Sequence, residues 1–499
     1  VTEPYMCGPG GDLFAMVWDP FGRCLHGHNA SGRSASRRSL AALREALGAA
    51  TSIPQRGPHC VTVPGAVDGW SVLHERFGRL PWSALFGPAI ALARDGFVPG
   101  PVTRRWWARA VADVQRDAAA AAQVDGFLAT FAPGGEAPGD GQRLTNPGLA
   151  DLFARVAVRG RAGFYEGSFA QLVVDTLNRA GAAFARDDLA RRHADWVTPL
   201  TTDYRGVTVC ALPPNGQGAA TLQMLNVLEG YPPAAPDDPD WWHRYVEAKK
   251  LAFADRARWY ADPAFARIPL AALLDKEYAA RRRALIDPRR AADHCEPGAF
   301  PGGDTTYLAA ADADGMMVSL IQSIFNPFGS ALVVPGAGFA LQSRGAGFAL
   351  DAAHANGYQP GKRPFHTIMP GFALKDGRPW LAFGVMGADM QPQGQVQILA
   401  NLIDLGDDVA CCALRPRLRH AGGAQPNGVS EPGVGTIFVE PEMPARVTDG
   451  LRARGHEVVT ITDPIGNFVG GYQGILCDPV AGVYRGGSEP RFDGCATGY

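Results

Sequence analysis

No apolar run in this 499-residue chain reaches the roughly 18 residues that a membrane-spanning helix requires. An excess of one charge sign is missing too. Lys and Arg number 47 against 49 Asp and Glu, a net charge of −2, which argues against general binding to nucleic acid or an anionic membrane. The local arginine clusters, Arg104-Arg105 and Arg281-Arg282-Arg283, read as solvated helix faces. Familiar catalytic signatures are absent: there is no GxSxG elbow, no P-loop lysine and no HExxH. The nine cysteines, at 7, 24, 60, 210, 295, 411, 412, 477 and 495, are odd in number and form no CxxC, so they read as mostly reduced, packed thiols. His26 and His28 are a close pair without further ligands at zinc-like spacing, and no metal or organic cofactor is expected. Gly8-Pro9-Gly10-Gly11-Asp12 lacks the Lys-Ser/Thr ending of a phosphate loop and reads as a tight structural turn. The chain opens on Val1-Thr2-Glu3-Pro4, with no Met and no basic or apolar leader. The expectation is that a natural N-terminal segment is missing, with a cytoplasmic location favoured over a periplasmic one.

What is present suits a globular protein with many loops: 46% hydrophobic residues, 19% charged, 61 glycines and 40 prolines. An early strand is expected over Leu13–Trp18. Helices are expected over Ser39–Leu47, closed by Gly48, and over Pro81–Asp95, closed by Gly96. Residues 118–146, rich in Ala, Gly and Pro, read as loop. Trp242, Tyr245, Val246, Phe253, Ala257 and Tyr260 follow the 3.6 period, so a helix is expected over Asp240–Asp262, with Pro239 at its start. Pro288–Asp304 reads as an exposed connector. Strands follow: a hairpin of Thr306–Ala311 and Met316–Ser323 around Asp314-Gly315, then Trp380–Val385, Thr436–Val439 and Val458–Thr462. A second hairpin, Gly474–Cys477 with Val483–Gly486, turns at Asp478-Pro479. Helices first and strands later suggest a layered α/β architecture.

Thr305 stands at the mouth of the first hairpin, behind Gly302-Gly303-Asp304, where a chain could cut itself and expose an N-terminal nucleophile. Asp304-Thr305-Thr306-Tyr307, Asp312-Ala313-Asp314-Gly315, Val318-Ser319-Leu320 and Gln322-Ser323 resemble the processing site of the γ-glutamyltransferase family of N-terminal-nucleophile (Ntn) hydrolases. Arg94-Asp95-Gly96-Phe97, Pro213 to Gly218, Gly361-Lys362-Arg363-Pro364, Gly387 to Gly394 and Gly470 to Gly474 resemble further family blocks in family order. The pattern is closest to the oxamate amidohydrolase and cephalosporin acylase-like members. The resemblance implies a four-layer αββα sandwich. It also implies a precursor cut between Asp304 and Thr305 into a large segment, 1–304, and a small one, 305–499, which together form one domain. The two chains would remain a heterodimer, or a dimer of heterodimers, acting on a small-molecule amide.

The same resemblance implies roles for particular residues. Thr305 would be nucleophile and, through its freed amine, base. Thr306 and Ser323 would hydrogen-bond around it, and the N–H groups of Gly387 and Ala388 would form the oxyanion hole. Family members usually carry Gly-Gly there, so Ala388 is a departure. Arg94 matches the arginine that grips a substrate carboxylate. Arg344 and Gly347 replace a Gln and an Asp that read an ammonium, Phe325 replaces an Asn, and His366-Thr367 replaces a Ser pair. A cation has been gained where an amine acceptor is lost. An acyl group bearing a carboxylate and no ammonium is therefore expected, bound near Arg344, His366 and Thr367. The short Phe348–Gly361 segment implies a reduced lid and favours hydrolysis over transfer. Two rivals are a true γ-glutamyltransferase or glutathione hydrolase, and an uncleaved, silent binding relative.

Overall fold

The computed structural model describes residues 1–293, 304–463 and 469–499, and for Asp304 and Thr305 the backbone only. Most of the expected connector, with Cys295, lies outside the described residues. The strands in chain order are β1 (Asp12–Asp19), β2 (Cys24–Ala30), β3 (Asp195–Val197), β4 (Leu200–Tyr204), β5 (Val207–Ala211), β6 (Asp304–Ala311), β7 (Met317–Phe325), β8 (Gly371–Lys375), β9 (Arg378–Met386), β10 (Leu418–Ala424), β11 (Ser430–Val439), β12 (Glu457–Thr460), β13 (Gly471–Asp478) and β14 (Val483–Ser488). One antiparallel sheet runs β3-β2-β1-β7-β6 and a second β14-β13-β9-β8-β5-β4, while β10, β11 and β12 make a small third sheet. Both large sheets combine strands from before and after residue 304, which meet at the β1-β7 pair in one sheet and at the β8-β5 pair in the other. Neither segment completes either large sheet alone.

The alternation of side chains across a strand explains the core. Met317 and Ile321 of β7, Phe14 and Met16 of β1 and Tyr307 of β6 share a buried cluster with Cys210 of β5, Phe372 of β8 and Ala382 of β9. The opposite face of β1, through Leu13 and Ala15, packs with Ala66 of the helix Ala66–Phe77. The largest cluster joins β5, β8 and β9 to the helices Gly218–Leu228, Pro239–Trp259 and Met390–Ile403. The helix expected over Asp240–Asp262 is present as Pro239–Trp259, starting one residue earlier and ending three earlier. Pro239 occupies the first turn and Asp238 caps it by accepting from the Asp240 N–H.

Two local expectations fail. Residues 118–146 are not all loop: a 3-10 turn, Ala118–Gln123, leads into a helix, Val124–Phe131. Phe127 and Phe131, one helical turn apart, are buried against Phe328 and Trp107, and that tertiary anchor outweighs the local composition. Pro81–Asp95 is not one helix but a 3-10 turn, Trp82–Phe86, followed by an α-helix, Gly87–Asp95. Pro88, which has no N–H to donate, sits in the first turn of the second piece. The arginines at 281–283 are not purely a solvated face either. Arg282 donates to the Leu251 carbonyl and Arg283 to that of Val227, docking the helix Lys276–Arg283.

Candidate active site

The head of β6 is held by close backbone approach. Gly11 permits it: a Cβ there would lie 2.3 Å from the Ser323 carbonyl oxygen. This brings Asp12 of β1 opposite Ser323 of β7. On the other side of β7, Asp304 pairs with Phe325 and Thr306 with Gln322, with a register shift between. Ser323 and Ile324 therefore face the single residue Thr305 across the ladder. Such a bulge breaks regular pairing and re-aims side chains. Phe325 closes it with φ of 80°, a strained conformation for a bulky residue. Thr306 Oγ1 donates to Glu3 Oε2 at 2.8 Å.

Arg344 and His366 lie behind this point, fully buried. Arg344 Nη2 donates to Ser323 Oγ at 2.9 Å and Nη1 to Thr367 Oγ1 at 2.7 Å, while its guanidinium lies 4.3 Å from the Phe325 ring centroid. Burial lowers its pKa to about 9, opposed by the charge of Asp12, so it is cationic at neutral pH. Asp12 accepts from the Gly32 and Gly65 N–H groups and from Gln342 through one oxygen, and from His366 Nε2 at 3.0 Å through the other. His366 Nδ1 accepts from the Ile368 N–H, which sets the neutral tautomer. Burial, then the nearby Arg344 charge, lowers the His366 pKa to about 3.

A cavity of about 130 Å³ adjoins the head of β6. Phe325, Phe365, Ile53, Pro54 and Ala346 form its apolar wall, and Gln55, Thr367, Asp389, Gln425 and Asn427 supply polar groups. Ala388 lines it as well. Gly387 and Ala388 form the turn between β9 and the helix Met390–Ile403, with φ of 126° and 48°. Neither N–H donates to an acceptor among the described residues. The turn is tied from beneath. Gln217 Nε2 donates to the carbonyls of Ala388 and Thr367, and Arg256 Nη1 donates to Gln217 Oε1 and to Asp389 Oδ1. Arg256 Nη2 also reaches Gln425, which in turn donates to Asp389.

Ser323, Thr306, Thr367, Gly387 and Ala388 are thus brought to one end of the two sheets. Three of the expected substrate-binding residues stand outside the cavity lining. Arg344 and His366 do not line the cavity: both are buried, with Arg344 bonded to Ser323 and Thr367 and His366 to Asp12. Arg94 is not gathered there either. It is exposed on the helix Gly87–Asp95, which packs on the helix Pro147–Arg159. Asp389, Arg256 and Gln425 were not singled out from sequence. Asp389 lay within the Gly387–Gly394 block, but nothing local tells that a distant helix delivers Arg256 to it. Elsewhere, His243, Glu247 and His456 bring ligand-type atoms within 4.8 Å of one another. Lys250 Nζ, 2.8 Å from Glu247 Oε1, already supplies positive charge there.

The Gamma-glutamyltranspeptidase family model matches residues 1–499. The chain is 35% identical to the Glutathione hydrolase-like YwrD proenzyme of Bacillus subtilis (strain 168), over 100% of this chain and 91% of the relative. It is 34% identical to the Oxamate amidohydrolase proenzyme of Klebsiella pneumoniae, over 100% of this chain and 92% of the relative. The crystal structure of cephalosporin acylase from Bacillus halodurans superposes with a TM-score of 0.91 at 37% identity, covering 100% of this chain and 89% of that one. With a match from end to end, and with the turn, hydroxyls and cavity gathered at the head of β6, this chain is an enzyme of the γ-glutamyltranspeptidase family of Ntn hydrolases.

Proposed function

We propose that the chain is a self-processing amidohydrolase whose nucleophile is Thr305, built as a four-layer αββα sandwich. The supporting observation is the position of Asp304–Thr305 at the start of β6, facing Ser323 and beside the cavity that Ala388 and Thr367 line. In the precursor, Thr305 Oγ attacks the Asp304 carbonyl carbon, the peptide C–N bond breaks, and the acyl group moves from nitrogen to oxygen. Water hydrolyses the ester, leaving the Asp304 carboxylate and a free Thr305 amine. With a reference pKa of about 8, that amine is partly neutral near pH 7 and takes the proton from its own hydroxyl. In turnover the amide carbonyl is attacked by Thr305 Oγ, the oxyanion is met by the Gly387 and Ala388 N–H groups, the amine leaves, and water releases the acid.

The acyl donor on this reading carries a carboxylate and no ammonium. Arg344 engages a lone pair of Thr367 Oγ1, so the Thr367 hydroxyl is left to donate toward an acceptor in the cavity, with a cation directly behind it. Asp389 is the acidic group of the wall, and its charge is matched by Arg256. Purified protein should yield a fragment beginning Thr-Thr-Tyr by mass spectrometry, and Thr305→Ala should remain one chain without activity. Glutaryl-p-nitroanilide should be cleaved faster than γ-glutamyl-p-nitroanilide. Activity in the uncut Thr305→Ala protein would remove the nucleophile assignment, and preference for the γ-glutamyl compound would remove the carboxylate one.

A further inference from the structure

The stretch that leads into β1 crosses the end of β7 and delivers one acidic side chain to the nucleophile strand. Glu3 turns the chain, its carbonyl accepting from the Met6 and Cys7 N–H groups, while Met6 and Tyr5 accept from the Ile324 and Phe328 N–H groups. Glu3 is thereby pinned, with Oε2 accepting from the Thr306 hydroxyl and Oε1 left without a partner among the described residues. Two other carboxylates at this end are spoken for. Asp12 accepts from four donors, and Asp389 is held by Arg256 and Gln425.

We propose that Glu3 is the positioning residue of the nucleophile: it fixes Thr306 and, through Oε1, receives the ammonium that forms on the neighbouring Thr305. This rests on Thr305 becoming a chain end. When the Thr305 amine takes the hydroxyl proton, positive charge develops on that nitrogen. A fixed carboxylate beside it stabilises the charge and orients the amine, as an acid does behind a catalytic imidazole. Proton balance is kept within Thr305, and Glu3 is neither protonated nor consumed.

The surrounding charged and titratable groups are few. Cys7 belongs to the same stretch as Glu3, and Asp493 approaches from the C-terminal segment. Arg344 reaches Ser323, and the Asp12–His366 pair lies beyond it. Burial holds the Glu3 carboxyl above its ordinary range, the Thr306 hydrogen bond opposes this, and Asp493 adds to it. The carboxyl is thus tuned by the contact the proposal invokes.

The test compares Glu3→Gln and Glu3→Asp with the parent chain, reading cleavage by mass spectrometry and the pH profile of kcat on glutaryl-p-nitroanilide. Removing a carboxylate lowers the pKa of an adjacent amine. In a cut Glu3→Gln protein kcat should therefore fall about tenfold and its acid limb should move down by about one pH unit. Glu3→Asp should keep the limb in place. An unchanged limb in cut Glu3→Gln overturns the proposal, because a packing role would alter amplitude alone. If Glu3→Gln stays uncut, Glu3→Asp should restore cutting, and failure of both overturns it. A parent chain that is not cut at Thr305 defeats the nucleophile assignment instead, so the two failures are distinguishable.

Discussion

Arg344 shows how a residue can be right in kind and different in use. Its identity pointed to a cation at the acyl site, and its position turns that cation into part of the wall's support. Two hydroxyls, Ser323 on the nucleophile side and Thr367 on the cavity side, take their orientation from one guanidinium. Arg344→Gln keeps at most one of those bonds and removes the charge. Its kcat/KM ratio for glutaryl over butyryl p-nitroanilide should drop about tenfold or more. An unchanged ratio would mean that the positive charge plays no part in reading the acyl group. No sequence pattern could have separated the two uses, because exposure is a property of the assembled fold. Arg94 makes the converse point: a matching motif placed it among the binding residues, and the fold leaves it on an exposed helix.

On the proposed mechanism, the element that matters most to the chemistry is the turn between β9 and the following helix. Gly387 adopts φ of 126° and Ala388 φ of 48°, so glycine is required at the first position and alanine is strained at the second. Gly387→Ala should cost about 1–2 kcal/mol of stability and lower kcat by about tenfold or more, with a smaller change in KM, since it re-aims a backbone donor. Ala388→Gly should keep kcat within a few-fold and raise the unfolding midpoint, because the donor survives and the strain is relieved. Thermal melts and steady-state kinetics on the two variants check both statements. At this scale the sequence was legible where local chemistry decides. Ser39 caps its helix by accepting from the Ala42 N–H, Gly48 ends it with φ of 59°, and Asp478 organises the second hairpin turn. The helix Val124–Phe131 was not legible, because its stability comes from aromatic partners distant in the chain.

Across the whole molecule, buried neutral histidines set the response to acid. Burial is the leading cause in each case, lowering His28 and His193 to about 4 and His366 and His456 to about 3. In the unfolded chain each takes a proton near its ordinary 6.5 and in the fold only well below it. Their contribution is complete above pH 6.5 and is lost as pH falls toward those lowered values, at about 1.4 kcal/mol per histidine per pH unit. Glu3 and Asp255, raised by burial, oppose the trend but number fewer. The uncut Thr305→Ala chain should therefore unfold at clearly lower denaturant concentration at pH 5 than at pH 7. Equal midpoints would show that these imidazoles are hydrated in the fold.

Family membership, the threonine at the strand mouth, the strands around it and the long Pro239–Trp259 helix were determined by the sequence alone. All of these rest on short-range order: hydrophobic period, caps, turn residues and contiguous motifs. Tertiary structure alone decided which charges line the cavity. Arg344 and His366 were turned inward onto Asp12 and two hydroxyls, and Asp389 was turned toward the cavity with Arg256 behind it. The physical reason is that a buried charge must find its partners across the fold, and those partners lie from 21 residues away, for Arg344 and Ser323, to 354, for His366 and Asp12.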